Sequence, residues 1–336
     1  ENTKEPHTIG WNRHQRHQSS GLPINLTHWR SDIPLHAGLL SWNADLWPLR
    51  RLLSPSEDLG PEWSVPSPLH ASPLYNHQQT QTTILEFAKE YGTHWPLLEV
   101  SVALASAGLL SYSGPLFSEF FEAWRAAKKQ GSDPLHHHAK RIEFTNEEWR
   151  SFFVYTGDNY HTTRYTHRLH KEFAPEDPRH QDALRLAYPI VRPHALWTQA
   201  QENGIDRYLI LGLMRQESTY NPTAISRAGA MGAMQIMPRT GNLIANQMTD
   251  IAYSPADLHD PGLSIEYALH YFGLLLQRFD GVYPLALASY NGGPFNVSAW
   301  LSNMNTETSM DEFVEHIPFR ETRRYVKKVS KEYAQY

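Results

Sequence analysis

Glu217 is the residue whose surroundings best suit proton transfer. It closes the run Tyr208-Leu209-Ile210-Leu211-Gly212-Leu213-Met214-Arg215-Gln216-Glu217, in which Ile210, Leu213 and Met214 precede it by seven, four and three positions. Those offsets are neighbours on one helix face, so the carboxyl projects from the apolar side of its helix. A carboxylate placed there loses hydration, which favours the protonated form and raises the pKa, as a general acid requires near neutral pH. Position alone leaves a second reading open. Glu217 stands in the last turn before Asn221-Pro222, where the helix dipole disfavours negative charge, and a salt bridge to Arg215 or to a distant arginine would compensate it.

Other chemistry-bearing side chains are less well placed. Asp206, Asp250, Asp257, Asp260 and Asp280 are the carboxylates available as partners, and they read as a helix start, loop residues and caps, leaving one-acid chemistry. His136-His137-His138 and the set His161, His167 and His170 raise the question of a metal, since His167 and His170 would share a face if their segment were helical. Clear acidic or thiolate partners are missing from their vicinity, so no metal and no cofactor is expected. Trp95, Trp124, Trp149 and Phe153 recur at helical spacing and read as core packing.

After the Glu217 helix comes a glycine-rich stretch, Asn221 to Thr240, and three blocks follow one another in order: Glu217-Ser218, Gly232-Ala233-Met234-Gln235 and Ser289-Tyr290-Asn291. Two more features continue the series, Asp260-Pro261 leading into a helix through Tyr271, and the terminal Ile317-Pro318-Phe319-Arg320-Glu321-Thr322-Arg323-Arg324-Tyr325-Val326. Over about residues 185 to 330 the sequence closely resembles the soluble lytic transglycosylases, whose catalytic domain is goose-type lysozyme-like and whose hallmarks are Glu-Ser, a Gly-Leu-Met-Gln-like block and Ala-Tyr-Asn. Departures are Ala233 for Leu, Ser289 for Ala, Gly292 for Ala, and Ala268-Leu269 for Gly-Ala. None of them removes a polar group used in chemistry.

The resemblance implies a peptidoglycan-cleaving enzyme acting on the β-1,4 bond between N-acetylmuramic acid and N-acetylglucosamine and leaving 1,6-anhydromuramic ends. Glu217 would serve as acid and then as base. Ser226 matches a family serine near the carboxyl and the substrate acetamide, and Met234 and Gln235 match a pair lining the cleft. Tyr290 matches a tyrosine whose hydroxyl faces the acid, and Glu321 a glutamate on the cleft wall. Ser218 and Asn291 are expected as scaffolding. A goose-type lysozyme hydrolase and a non-catalytic peptidoglycan-binding scaffold are the competing readings, and the compartment implied is the periplasm or bacterial cell envelope.

The elements that must position these residues are helical. The chain has 336 residues, 40% of them hydrophobic, enough for a sizeable core and about two domains. We expect a mainly α protein: an α-rich N-terminal domain over residues 1–184, irregular and Pro-rich over 1–78, then a lysozyme-like α-helical catalytic domain over 185–336 with a small irregular or β segment. Helical periodicity sets in at Thr80 and runs through Ile84, Phe87, Ala88 and Tyr91, then Val100 to Leu110, then Leu116 to Trp124, punctuated by Gly92, Gly114-Pro115 and Gly131. Further helices are expected around Asn146 to Val154 and Asp177 to Tyr188. The front half does not match the α-superhelical domain of longer family members; contact with cell-wall assembly partners is the expectation for it.

A net charge of −5 supplies no electrostatic reason to expect nucleic acid or an anionic membrane surface. The absence of cysteine removes disulfides and thiol chemistry. No apolar run reaches the roughly 18 to 20 residues of a membrane span, and Glu1-Asn2-Thr3-Lys4 does not begin a signal peptide, so a signal or anchor is expected to have been removed or to lie outside this chain.

Overall fold

The computed structural model describes residues 74–130, 143–191, 193–248, 253–304 and 308–336. The Pro-rich stretch up to residue 73, the run His136-His137-His138, and Asp250 fall outside them. Among the described residues the protein is all helix and turn, apart from two isolated antiparallel bridges that link Ile225 to Met231 and Met231 to Ile236.

In the first half, α1 (His77–Tyr91), α2 (Pro96–Ser106), α3 (Leu110–Gln130), α4 (Asn146–Thr156), α5 (Asn159–Thr166) and α6 (Pro178–Ala187) follow one another. The local signals are legible. Asn76 accepts the N–H of Gln79 at 3.0 Å to start α1. Thr145 and Glu148 form a reciprocal capping box on α4, and Gly157 ends it in the left-handed region at φ 75°. The irregular reading to residue 78 therefore yields to a helix from His77. Gly114-Pro115 does not punctuate either, because both lie inside α3. A Cβ on Gly114 would fall 2.3 Å from the Gly157 carbonyl oxygen, so this glycine marks a close crossing of backbones.

Phe87, Tyr91, Phe117, Phe120, Phe121, Trp149, Phe152 and Phe153 are buried together in this half's core, with Trp124 at its margin. Beside them lies a buried imidazole. The His161 ring, 1% exposed, is stacked on Phe153, with Nδ1 2.7 Å from Asp158 Oδ2 and Nε2 2.8 Å from Glu122 Oε1. A neutral imidazole has one N–H, whereas two carboxylates at these distances call for two donors, so the ring is an imidazolium. The histidine thus has acidic partners after all: Asp158 stands three residues before it in the sequence, while Glu122 is 39 residues away.

Burial opposes the charge on His161, but Asp158 and Glu122 outweigh it and raise the pKa, while His161 and Arg125 hold Glu122 below its ordinary value. A raised histidine pKa contributes stability in full below the unfolded value of 6.5, and that contribution disappears as pH rises through the folded value. Thermal unfolding of wild type against His161→Leu is therefore expected to show a deficit in the variant of about 3 kcal/mol near pH 6. The deficit should shrink as pH increases beyond 6.5; one that grows with pH would contradict the imidazolium.

The second half contains α7 (Pro193–Glu202), α8 (Arg207–Ser218), α9 (Pro238–Met248), α10 (Pro261–Arg278), α11 (Tyr283–Gly292), α12 (Pro294–Ser302), α13 (Met310–His316) and α14 (Arg320–Tyr333). α10 buries Ile265, Ala268, Leu269, Phe272, Leu275 and Leu276 at the centre of this half's core. α14 packs against both α8 and α11, and so joins the helix bearing Glu217 to the one bearing Tyr290. A largely apolar groove runs between the halves, with Leu110, Gly114 and Tyr160 on one side and Met214, Tyr220 and Ala233 on the other. None of the candidate site residues lines it.

Candidate active site

α8 is held at both ends. Asp206 accepts the N–H of Tyr208 at 2.9 Å as its N-cap and also accepts the Tyr333 hydroxyl from α14 at 2.7 Å. Leu209, Ile210, Leu213 and Met214 are buried. Gly212 lets α14 approach so closely that a Cβ there would lie 2.9 Å from the Tyr333 nitrogen. Beyond Ser218 the chain turns through two consecutive non-glycine residues in the left-handed region, Thr219 at φ 57° and Tyr220 at φ 64°. Such conformations cost about 1 to 3 kcal/mol each and persist where the surroundings over-determine them. Here the clamp is visible: Ser218 Oγ donates to the Ala233 carbonyl at 2.7 Å and accepts the N–H of Asn221 at 3.0 Å.

Glu217 is half-buried at the end of this helix. Arg215 does not pair with it. The guanidinium is ion-paired with Glu332 at 2.8 Å, donates to the Ala187 carbonyl, and lies over the Tyr188 ring. The group on the carboxyl is the Tyr325 hydroxyl, which donates to Glu217 Oε1. Loss of hydration pushes the Glu217 pKa up to about 7; the Tyr325 hydrogen bond works against the rise and the charge of Glu321 adds to it. The side chain can thus both give and take a proton near neutrality.

Tyr290 was expected to face the acid. Its hydroxyl donates instead to the Met234 carbonyl at 2.9 Å, although Glu217 is near enough for its charge to help raise the tyrosine's pKa, after burial. The hydroxyl on the acid belongs to Tyr325, which lies within the terminal block without standing out there. A signal for it existed: Tyr325 follows Glu321 by four residues, so a helix over this block places both on one face.

The loop after α8 carries Ser226, Met234 and Gln235. Ser226 is half-buried; its Oγ accepts the N–H of Ala230 at 2.9 Å, leaving its own proton to donate. Met234 corrects the expectation of a cleft-lining side chain: it is fully buried, and only its carbonyl reaches Tyr290. Gln235, at φ 51°, gives its amide Nε2 to the carbonyls of Gly232 at 2.9 Å and Ala224 at 3.2 Å, so its side-chain oxygen is what remains for a ligand. Asn291 Oδ1 accepts the Thr322 hydroxyl at 2.7 Å, tying α11 to α14. Glu321 is exposed in the first turn of α14, and Arg323, one of its suggested partners, donates to the Glu315 carbonyl at 2.8 Å.

The aspartates are otherwise engaged. Asp257 shares a capping box with Ser254, Asp260 caps α10 through the N–H of Leu263 at 2.8 Å, and Asp280 is exposed at φ 51°. Among the described residues no group of three or more His, Asp or Glu side chains is arranged to hold a metal ion. His167 and His170 do not share a helix face, since His167 ends α5 and His170 lies in the 3-10 turn Leu169–Glu172.

Residues 195–312 match the sequence profile of the Transglycosylase SLT domain. The soluble lytic murein transglycosylase of Escherichia coli K12 is 35% identical over 149 residues, 44% of this chain and 23% of that protein. Membrane-bound lytic murein transglycosylase C of Haemophilus influenzae is 40% identical over 101 residues, 29% of this chain and 27% of that protein. The chain therefore matches about a quarter of the length of these relatives. Among solved structures, the 70 kDa soluble lytic transglycosylase of Escherichia coli aligns with TM-score 0.47 and 22% identity, covering 80% of this chain and 46% of that one. An inactive mutant of the lytic transglycosylase Slt from Pseudomonas aeruginosa aligns with TM-score 0.46 and 25% identity, covering 67% and 34%. On the profile match and the sequence relatives, residues 195–312 of this chain are similar to the transglycosylase SLT domain.

Proposed function

We propose that the protein is a peptidoglycan lytic transglycosylase of the bacterial envelope, with residues 185–336 as its catalytic unit and Glu217 as the sole acid and base. The observation that supports this best is the state of the Glu217 carboxyl: burial and Glu321 raise its pKa to about 7, Tyr325 holds one of its oxygens, and Asp206, Asp257 and Asp260 are committed to helix caps. Glycosidases that lack a second working carboxylate draw on the substrate's own acetamide.

Protonated Glu217 gives its proton to the oxygen linking N-acetylmuramic acid to N-acetylglucosamine, and that C–O bond breaks. The muramoyl acetamide supports C1 while it is electron-poor. Glu217, now a carboxylate stabilised by the Tyr325 hydroxyl, takes the proton of the C6 hydroxyl as its oxygen bonds to C1. The 1,6-anhydro ring closes, the acid is regenerated and no water is consumed. Ser226 and the Gln235 oxygen are assigned to sugar hydroxyls and amides, Tyr290 and Asn291 to holding the two walls, and Glu321 to the edge of the cleft.

Mass spectrometry of peptidoglycan digested by the full chain distinguishes the routes. Muropeptides one water lighter than the reducing-end products, the anhydromuramic species, are the expected outcome. Products of ordinary reducing-end mass would make the enzyme a hydrolase, and an intact substrate would leave a binding scaffold.

A further inference from the structure

Phe319 is 49% exposed, although Ile317, two residues before it, is completely buried and fixes the segment. Single exposed apolar residues are ordinary on protein surfaces. This one is built into a pair. Its ring meets half-buried Trp300 edge-to-face, with centroids 5.1 Å apart and planes at 77°. Trp300 in turn is seated on the end of α11: its ring tip lies 3.2 Å from where a Cβ on Gly292 would be, beside Thr322 at 2.9 Å from the same point. Gly292 follows Asn291, the acceptor of the Thr322 hydroxyl. The aromatic pair therefore lies beside Asn291 and Thr322, and Phe319 precedes by two residues Glu321, whose charge reaches Glu217.

We propose that Phe319 and Trp300 form an aromatic subsite that stacks on the apolar face of a neutral N-acetylhexosamine ring, away from the bond offered to Glu217. A pyranose presents a flat C–H face that an exposed ring can cover, and neither aromatic carries a positive charge to pair with a peptide carboxylate. Phe319 stands at the N-terminal boundary of α14 in an extended conformation, and about half of its surface faces solvent. The subsite rests on the reading of the cleft as glycan-binding, though not on which route the cleavage takes.

Chitotetraose binding to the full chain, followed by calorimetry in wild type, Phe319→Ala and Phe319→Tyr, tests it. Phe319→Ala is expected to weaken binding about fivefold and to raise KM for glycan strands similarly with kcat unchanged, while Phe319→Tyr retains the wild-type constants. Equal chitotetraose affinity in Phe319→Ala, no binding by wild type, or a loss that Phe319→Tyr shares would overturn the subsite. Wild type that binds chitotetraose in a Phe319-dependent way yet yields no anhydromuramic ends leaves the subsite standing and removes the transglycosylase reading.

Discussion

Glu217→Gln is expected to lower glycan cleavage by about a thousandfold or more, the scale of a general acid that also acts as base, while the folded state becomes equally or more stable. The two effects have one cause. In the unfolded chain the carboxyl titrates near 4.5, and in the fold near 7, so between those values the folded state must either hold a proton or bury a charge. Below 4.5 both states are protonated and the substitution is close to neutral for stability. From there the carboxylate's penalty grows as pH rises, reaching at most about 3 kcal/mol near neutrality from the shift of 4.5 to about 7. Glutamine keeps an oxygen for the Tyr325 hydroxyl and carries no charge. Calorimetric scans at pH 4 and pH 8, run beside a cleavage assay, check both halves. Retained turnover would end the assignment of Glu217, and a stability gain identical at the two pH values would end its physical explanation.

Gly232→Ala is expected to be the most damaging single-methyl change in the loop. The residue sits at φ 78°, and an added Cβ would fall 1.8 Å from the Leu258 carbonyl oxygen and 3.1 Å from Ser264 Oγ. Left-handed backbone costs an L-residue about 1 to 2 kcal/mol, and overpacking against a fixed main chain adds a comparable amount, for a loss of about 3 kcal/mol. At this chain size that corresponds to roughly 4 °C in melting temperature. Activity should fall too, because the displaced Ala233-Met234 segment carries the carbonyls that hold Ser218 and Tyr290. Gly229 is the internal control. It is also left-handed, at φ 86°, but nothing lies within 4 Å of its would-be Cβ, so Gly229→Ala should cost about 1 kcal/mol. Equal melting temperatures for the two variants would show that backbone conformation, and not the Leu258 contact, decides the loop.

Some of this was open to a reader of the sequence. The apolar offsets of Ile210, Leu213 and Met214 placed Glu217 on the enclosed side of its helix, and the structure buries all three. Asp206 and Asp260 announced helix starts and are N-caps. Trp124, Trp149 and Phe153, at helical spacing, are core. These features depend on neighbours within one or two turns, and the one-dimensional pattern contains them whole.

Other features depend on which elements meet, and local pattern is silent on that. Tyr290 and Tyr325 both belong to ordered blocks, yet only the packing of α14 across α8 decides that Tyr325, 108 residues from Glu217, reaches the acid while Tyr290 reaches the Met234 carbonyl. Arg215 is closest to Glu217 in sequence but turns to Glu332, because α14 runs beside α8. Gly229 and Gly232 look alike in a glycine-rich loop; the carbonyl of Leu258 above one of them separates their roles. By itself the sequence determined that a carboxyl would stand on a dry helix face in an SLT-type segment. The tertiary structure decided which hydroxyl would hold it, because hydrogen-bond partners are set by the approach of whole helices, and that approach is the sum of contacts no short stretch of chain records.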